Sequence, residues 1–272
     1  MAQTSSAHGR RLALAATATL LAALVAGCSS FGEDKTARQQ PARIYADARD
    51  EMSSGNYDKA IPLFEKLEGR AAGTPLAQQA QLEKAYAQYK SNDQGAALAT
   101  IDRFLKQHPA SPATDYALYL KGIVNFNDNL GPMSFLARQD LSERDQKAAK
   151  ESFEAFRELV ARFPESKYSG DARARMRYIV NSLAAYEVHV ARYYFSRGAY
   201  VAAANRAQNA ITDYQDVPAV EEALFIMMRS YEQLGLQALA ADTRRVMEKN
   251  YPKSEYLTRG SKGPDRPWWM FW

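Results

Sequence analysis

Apolar residues recur along the chain at the three- and four-residue spacing of helices, not at the alternating spacing of strands. Val/Ile/Thr runs are few, and no Asn-Gly or Asp-Gly turn separates alternating segments. Ala, Leu, Gln, Glu, Lys and Arg fill the intervening positions, all of them good helix formers. The pattern predicts an all-α chain. It also repeats itself. Gly55-Asn56-Tyr57-Asp58-Lys59-Ala60 returns as Gly198-Ala199-Tyr200-Val201-Ala202-Ala203, and more loosely as Gly235-Leu236-Gln237-Ala238-Leu239-Ala240. Each copy predicts a helix–turn–helix. Gly ends the first helix, the aromatic plugs the corner, and the small Ala lets two helices cross closely.

A second signal marks the end of each unit. His108-Pro109-Ala110-Ser111, Phe163-Pro164-Glu165-Ser166 and Tyr251-Pro252-Lys253-Ser254 share a ring, a Pro, any residue and a Ser. Pro cannot continue the preceding helix, and Ser is expected to cap the next one. Ala97 lies 12 residues before Pro109, and Ala240 lies 12 before Pro252. That offset matches the tetratricopeptide repeat, a two-helix unit of about 34 residues that stacks into a superhelix. The competing reading is a non-repetitive helical bundle. Five units are expected. Repeats 1 and 2 span 42–110, repeat 3 spans 111–165 with an insertion at 128–145, and repeats 4 and 5 span 166–256. The first helix of the third unit should end near Asn127, and that of the fourth should be long, from about Ser169 to Arg197. A tail follows at 257–272 and holds all three tryptophans, Trp268, Trp269 and Trp272.

The N-terminus breaks the repeat pattern. Arg10 and Arg11 precede an apolar stretch from Leu12 to Gly27, 16 residues long. Spanning a bilayer takes about 20, so the stretch reads as the core of a secretory signal peptide at 1–27. It ends in Leu24-Val25-Ala26-Gly27-Cys28, which resembles the bacterial lipobox, where small residues precede a cysteine that becomes acylated. Cys28 is therefore the candidate lipidation site, and a free thiol in an anchor helix is the competing reading. Several acyl chains on one residue anchor stably, where a single chain is marginal. Residues 28–41 read as a flexible lipidated tether. An Asp after the cysteine favours inner-membrane retention in proteobacterial lipoproteins, so by that resemblance Ser29 favours the outer membrane.

Composition then removes several function classes. The 35 basic and 31 acidic residues leave a net charge of +4, a small excess over a large total and no nucleic-acid footprint. One cysteine rules out an internal disulfide framework and any multi-cysteine metal site, and three histidines make a His-built site a poor expectation. No Gly-rich phosphate loop, GxSxG elbow or HExxH motif is present. His108 holds the ring position before Pro109, and His189 sits between two valines on the long helix, so both read as structural. Glu221 and Glu222 read as first-turn acids that favour the helix dipole. No enzyme chemistry and no cofactor are expected.

The repeat template places the first helix of each unit on the concave face. Tyr45, Arg49 and Met52 should line it in the first unit, Leu82, Tyr86 and Tyr89 in the second, and Tyr116, Tyr119, Ile123 and Phe126 in the third. Six rings, Tyr45, Tyr86, Tyr89, Tyr116, Tyr119 and Phe126, thus form a candidate peptide-binding groove. Rings give a large contact area at small entropic loss, and Tyr adds a polar tip. The competing reading is that these rings pack between helices.

Val190-Ala191-Arg192-Tyr193-Tyr194-Phe195-Ser196-Arg197-Gly198-Ala199-Tyr200-Val201-Ala202-Ala203-Ala204-Asn205-Arg206 carries a Tyr-Tyr pair, Arg-Gly-Ala-aromatic and Asn-Arg. With the lipobox, the five repeats and the Phe-Pro-Glu-Ser-Lys-Tyr run at 163–168 leading to Asp171, the chain resembles the BamD/ComL lipoprotein family of the outer-membrane β-barrel assembly machine. The likeness covers residues 24 to about 256. It implies a non-enzymatic scaffold on the periplasmic face of the outer membrane, within the complex that inserts barrel proteins. It implies C-terminal repeats that dock a POTRA domain of the barrel-forming subunit, and N-terminal repeats that receive the aromatic C-terminal signal of unfolded outer-membrane proteins. Arg197 and Arg206 match family arginines near the POTRA-facing side, while as plain helix-end cations they would serve the dipole. Accessory lipoproteins are further implied partners. The insertion at 128–145 is a candidate contact for one of them. The Pro267-Trp268-Trp269-Met270-Phe271-Trp272 run reads as an interfacial anchor, a docked peptide or an end that packs incidentally. The alternatives to this function are a pilotin-like repeat lipoprotein for a secretin or pilus, and a peptidoglycan-binding protein.

Overall fold

The computed structural model describes residues 40–126 and 146–259. Cys28, the tether up to residue 39, the insertion at 128–145 and Trp268 to Trp272 lie outside the described residues. Among those described there is no strand. The helices are α1 (Pro41–Ser53), α2 (Tyr57–Arg70), α3 (Pro75–Lys90), α4 (Gln94–Gln107), α5 (Thr114–Asn125), α6 (Gln146–Arg162), α7 (Ser169–Ser196), α8 (Tyr200–Asp213), α9 (Ala219–Gln233), α10 (Gln237–Asn250) and the short α11 (Glu255–Arg259). Each packs mainly on its neighbours in sequence, as a repeat array requires.

The corners form for the reasons the sequence suggests. Gly55, Gly198 and Gly235 have φ of 75°, 73° and 73°, the left-handed conformation that a Cβ disfavours. Asn92, at φ 65°, takes the same role in the second unit. Behind each corner lie two buried residues 12 apart: Ala48 and Ala60, Ala85 and Ala97, and Ala191 and Ala203, each pair sharing a core cluster, and Met228 and Ala240. The third unit keeps this device in altered form. Gly122 and the fully buried Ser152 are 30 residues apart, and the Ser152 hydroxyl donates to the Gly122 carbonyl at 2.8 Å. The excess over 12 is 18, the length of the insertion at 128–145. Pro164 then follows Ser152 by 12 residues, so the repeat resumes its register after the insertion.

Gly122 matters sterically. A Cβ there would lie 2.3 Å from Cε1 of Phe156, so the bare backbone is what lets α5 and α6 close on that ring. Phe64, Phe104 and Phe156 are fully buried, and each such burial contributes about 2–3 kcal/mol. The core is a chain of clusters running along the array. α7, 28 residues and about 42 Å long at 1.5 Å per residue, ties two of them together. Its first half joins Leu118, Phe156 and Leu159 through Ala172, Ile179 and Leu183. Its second half packs Val188 and Ala191 against Ala203, Ala207 and Ala223.

Two expectations need correction. Ser111 and Ser166 do not cap the following helices, whose N-cap positions are Ala113 and Tyr168 without side-chain capping bonds. Each Ser instead accepts a bond from the backbone two residues on and reaches back one unit, Ser111 to Gln78 at 2.8 Å and Ser166 to Asp115 at 2.6 Å. Pro two residues upstream sets a tight turn that must close before the helix starts, so the hydroxyl meets the preceding unit. Leu257, expected in the tail, lies within α11, where Tyr256 stacks near Phe225 with centroids 5.0 Å apart and both residues join the last core cluster.

Candidate functional site

The first helices carry contacts that step from unit to unit. The Tyr45 hydroxyl accepts from Gln79 at 2.5 Å, and Nη1 of Arg49 donates to both carboxylate oxygens of Glu83 at 2.9 and 3.0 Å, each pair 34 residues apart. The Tyr119 hydroxyl donates to Asp171 at 2.8 Å over 52 residues, which is the same step lengthened by the 18-residue insertion. Polar groups on this face are thus spent on locking the units into register, and the rings lie among them.

All six predicted rings are half-buried, with part of each surface packed into the core. Tyr45 leans on Phe64, 6.4 Å between centroids. Tyr86 and Tyr89 lie 6.5 Å apart and, with Tyr116, cover the cluster of Leu82, Ile101 and Phe104. Tyr119 stacks on Tyr168 at 4.6 Å and 19°, and Tyr116 meets the same ring at 5.6 Å. Phe126 stands edge-on to Tyr178 at 5.8 Å and to Phe156 at 6.5 Å. The Arg175 guanidinium covers Phe126 at 4.8 Å and donates to Asp171 at 2.7 Å. The rings of units two to four therefore form one band ending at an arginine. Packing between helices and lining a surface are both true of them.

Leu82 departs from the expectation. It is 4% exposed and sits beneath this layer as core, because an aliphatic chain at the position held by Tyr45 and Tyr119 in neighbouring units has no polar tip to carry to the rim. Tyr168 and Tyr178 join the band without having been anticipated. Tyr168 precedes α7 and Tyr178 lies inside it, so the template for three first helices did not reach them.

Electrostatics keep three of these phenols, Tyr45, Tyr116 and Tyr119, protonated. Burial, then the Glu83 charge and neighbouring tyrosines, push Tyr116 well above the usual phenol value. Burial and the bond to Asp171 raise Tyr119, and burial with Glu83 raises Tyr45. Burial pushes Asp171 up, but the bonds from Arg175 and Tyr119 outweigh it and hold the carboxyl below its ordinary value. The hydroxyls of Tyr86, Tyr89, Tyr116 and Tyr168 donate to no other described residue. They are four hydrogen-bond donors beside apolar ring faces.

Arg197 and Arg206 are not brought together. Arg197 caps α7 and lies over the exposed ring of Tyr193 at 5.4 Å. Arg206 on α8 pairs with Glu187 at 3.1 Å, about 15 Å back along α7 at 1.5 Å per residue. The Glu187 bond, ahead of the opposing burial, raises the Arg206 pKa further. Tyr193 and Val201 flank Arg197 in sequence and are 53% and 60% exposed. Leu234, Leu236, Leu239 and Val246 add exposed apolar surface in the last unit, which sequence reading had passed over.

Residues 37–247 match the YfiO family, described as an outer membrane lipoprotein. The chain belongs to that family. It is 51% identical over 230 residues to the outer membrane protein assembly factor BamD of Neisseria meningitidis serogroup A, covering 85% of this chain and 86% of the relative. It is 36% identical to the factor of the same name from Haemophilus influenzae, covering 86% and 89%, and 34% identical to that of Vibrio cholerae, covering 85% and 95%. In this member of the YfiO family no described helix is long and apolar enough to cross a membrane. Among the described residues no group of three His, Cys, Asp or Glu could hold a metal ion. His108 packs its ring on Phe104 at 5.3 Å, and His189 lies exposed on α7. Glu222 accepts from Arg192 at 2.6 Å in the first turn of α9.

Proposed function

We propose that this chain is a lipid-anchored, non-enzymatic scaffold of the outer-membrane β-barrel assembly machinery, held on the periplasmic face through Cys28. The N-terminal repeats receive the aromatic C-terminal signal of unfolded outer-membrane proteins. The C-terminal repeats dock a POTRA domain of the barrel-forming subunit through Arg197, Arg206 and the exposed apolar residues near them. Family membership and relatives named as assembly factors support the class of function. The observation that carries the peptide reading is the ring band with unengaged phenols. A strand end with alternating aromatics offers rings to stack and backbone carbonyls to accept from Tyr86, Tyr89, Tyr116 and Tyr168.

A mild-detergent pull-down of the lipidated protein from its own envelope, with mass spectrometry of partners, tests the assembly role. Near-stoichiometric recovery of a POTRA-bearing barrel protein is expected, and recovery of a secretin or pilus subunit instead would overturn it. A barrel-protein C-terminal peptide tests the band separately. Tyr86→Ala with Tyr116→Ala should weaken its binding by about tenfold or more, or ~1.4 kcal/mol.

A further inference from the structure

A separate cavity of about 500 Å³ opens on the other flank of α7, between α6 and the connection from α8 to α9. Phe153, Met176, Val180 and Val217 form its apolar floor, and Arg173 and Arg177 stand over it. At about 100° per residue these arginines lie about 200° round α7 from Asp171 and Arg175, so the cavity does not share a face with the aromatic band. Its size falls within the range of small-ligand and peptide-anchor pockets.

Like Arg197, which meets the Tyr193 ring, these two arginines lack the carboxylate partner that most of the described arginines have. Arg49, Arg103, Arg175, Arg192, Arg206 and Arg229 are all ion-paired to carboxylates in the described structure. Arg173 donates only to the Pro164 carbonyl, at 3.3 Å, and Arg177 has no carboxylate within ion-pair distance among the described residues. They are one helical turn apart, about 5–6 Å between Cβ atoms. That is close to the roughly 6.6 Å between alternate side chains of an extended peptide.

We infer that this cavity is a docking site for a segment of a partner polypeptide that presents acidic side chains beside an aromatic or aliphatic one. The carboxylates pair with Arg173 and Arg177, and the apolar side chain covers Phe153, Met176 and Val180. Charge complementarity selects this occupant, since an apolar floor alone would not distinguish partners and an exposed guanidinium pair favours bidentate carboxylates. Asp216, also in the lining, opposes any anion and a doubly charged phosphate more than a single carboxylate, while Gln215 and Asn181 offer amide donors and acceptors suited to a peptide backbone. The site is independent of the band and of Arg197 and Arg206, so it stands or falls apart from the function proposed above.

The test uses the full-length protein in detergent and a fluorescein-labelled octapeptide in which two aspartates alternate with a phenylalanine and a leucine. The control peptide carries asparagines in place of the aspartates. Anisotropy titration should show the acidic peptide binding at least tenfold more tightly, with affinity falling as salt rises from 0.05 to 0.3 M. Arg173→Gln with Arg177→Gln should weaken it at least tenfold with an unchanged melting temperature. If the double variant melts early, Arg177→Gln alone, at an exposed position without an ion pair, should still weaken binding severalfold. Equal binding of the two peptides, or an acidic peptide indifferent to Arg177→Gln, overturns the proposal. So does binding to phosphatidylglycerol vesicles that depends on Arg173 and Arg177 when the acidic peptide does not bind, which would assign the site to lipid.

Discussion

Replacing Gly122 by Ala should destabilise the protein, although Ala is the better helix former. Two effects oppose each other. In a helix interior Ala is worth about 0.8–1.0 kcal/mol over Gly. Against this, the new Cβ would meet Phe156 at 2.3 Å from Cε1 and 2.6 Å from Cδ1 and Cζ. Carbon atoms settle at about 3.5–4.0 Å, so the ring must retreat by more than an ångström. Phe156 is fully buried and flanked by Tyr119 and Phe126 at 6.1 and 6.5 Å, so it has little room to give. Overpacking of this kind costs about 1–3 kcal/mol, occasionally more. A fully buried ring met at this distance belongs in the upper part of that range, about 2–3 kcal/mol, which leaves a net loss of about 1–2 kcal/mol and a melting temperature lower by about 2–8 °C in a chain of this size. Circular dichroism melts would read it. Gly69→Ala is the matched control, because its Cβ would meet nothing within 4 Å, and it should hold or raise the melting temperature. Phe156→Leu in the Gly122→Ala background should lose less than the two single changes together, by about 1 kcal/mol. A Gly122→Ala variant melting at or above the parent would refute the claim that the α5–α6 crossing depends on the missing Cβ.

Three further outcomes can be measured. The Asp171 carboxyl is held below its unfolded value, so its contribution to stability is complete above about pH 4 and is lost as pH falls through the folded value; the gap in urea midpoint between parent and Asp171→Asn should therefore be present at pH 7 and narrow as pH is lowered below about 4, and a gap that stays constant through that descent would count against it. Arg206→Lys should leave a poorer partner for Glu187, whose side chain is 10% exposed, costing up to about 1 kcal/mol, and should reduce co-purification of the barrel-forming subunit; full recovery of that subunit would remove Arg206 from the interface. Deleting Trp268 to Trp272 should weaken membrane association or complex assembly in an envelope fractionation, and leaving both intact would make the tail dispensable.

The array was readable because its corners demand particular residues. Left-handed backbone at Gly55, Gly198 and Gly235 admits few alternatives, and close crossings admit few side chains larger than Ala60, Ala97 or Ala203. The third crossing was not read because it uses Ser152, which no alanine search finds; counting 12 residues back from Pro164 would have found it. The ring-bearing face was legible for a similar reason, since the repeat fixes which helix positions point that way. What it did not reveal is which rings also serve the core. Leu82 and Tyr45 occupy equivalent positions, yet one is buried and the other half-exposed, a difference set by side-chain chemistry and not by register. Nor did the pattern disclose that Arg206 is already engaged by Glu187, a pairing that depends on how α7 and α8 align.

Stability and the recognition proposed above share residues at the third unit, and the insertion bears on why such sharing is tolerated. An 18-residue excursion between α5 and α6 would shift every later contact if register depended on chain length. It does not, because the helices are held by pairs such as Gly122 with Ser152 and Tyr119 with Asp171, which re-form across the excursion. Loop-closure entropy grows only logarithmically with length, so those pairs need to offset a small added cost. The same pairs fix the band. Tyr119 is held at its hydroxyl by Asp171 and at its ring by Tyr168, Phe126 rests on Phe156, and Phe156 rests where Gly122 lacks a side chain. A surface built this way presents its rings already oriented, and a flexible peptide binding there bears nearly all of the ordering cost itself.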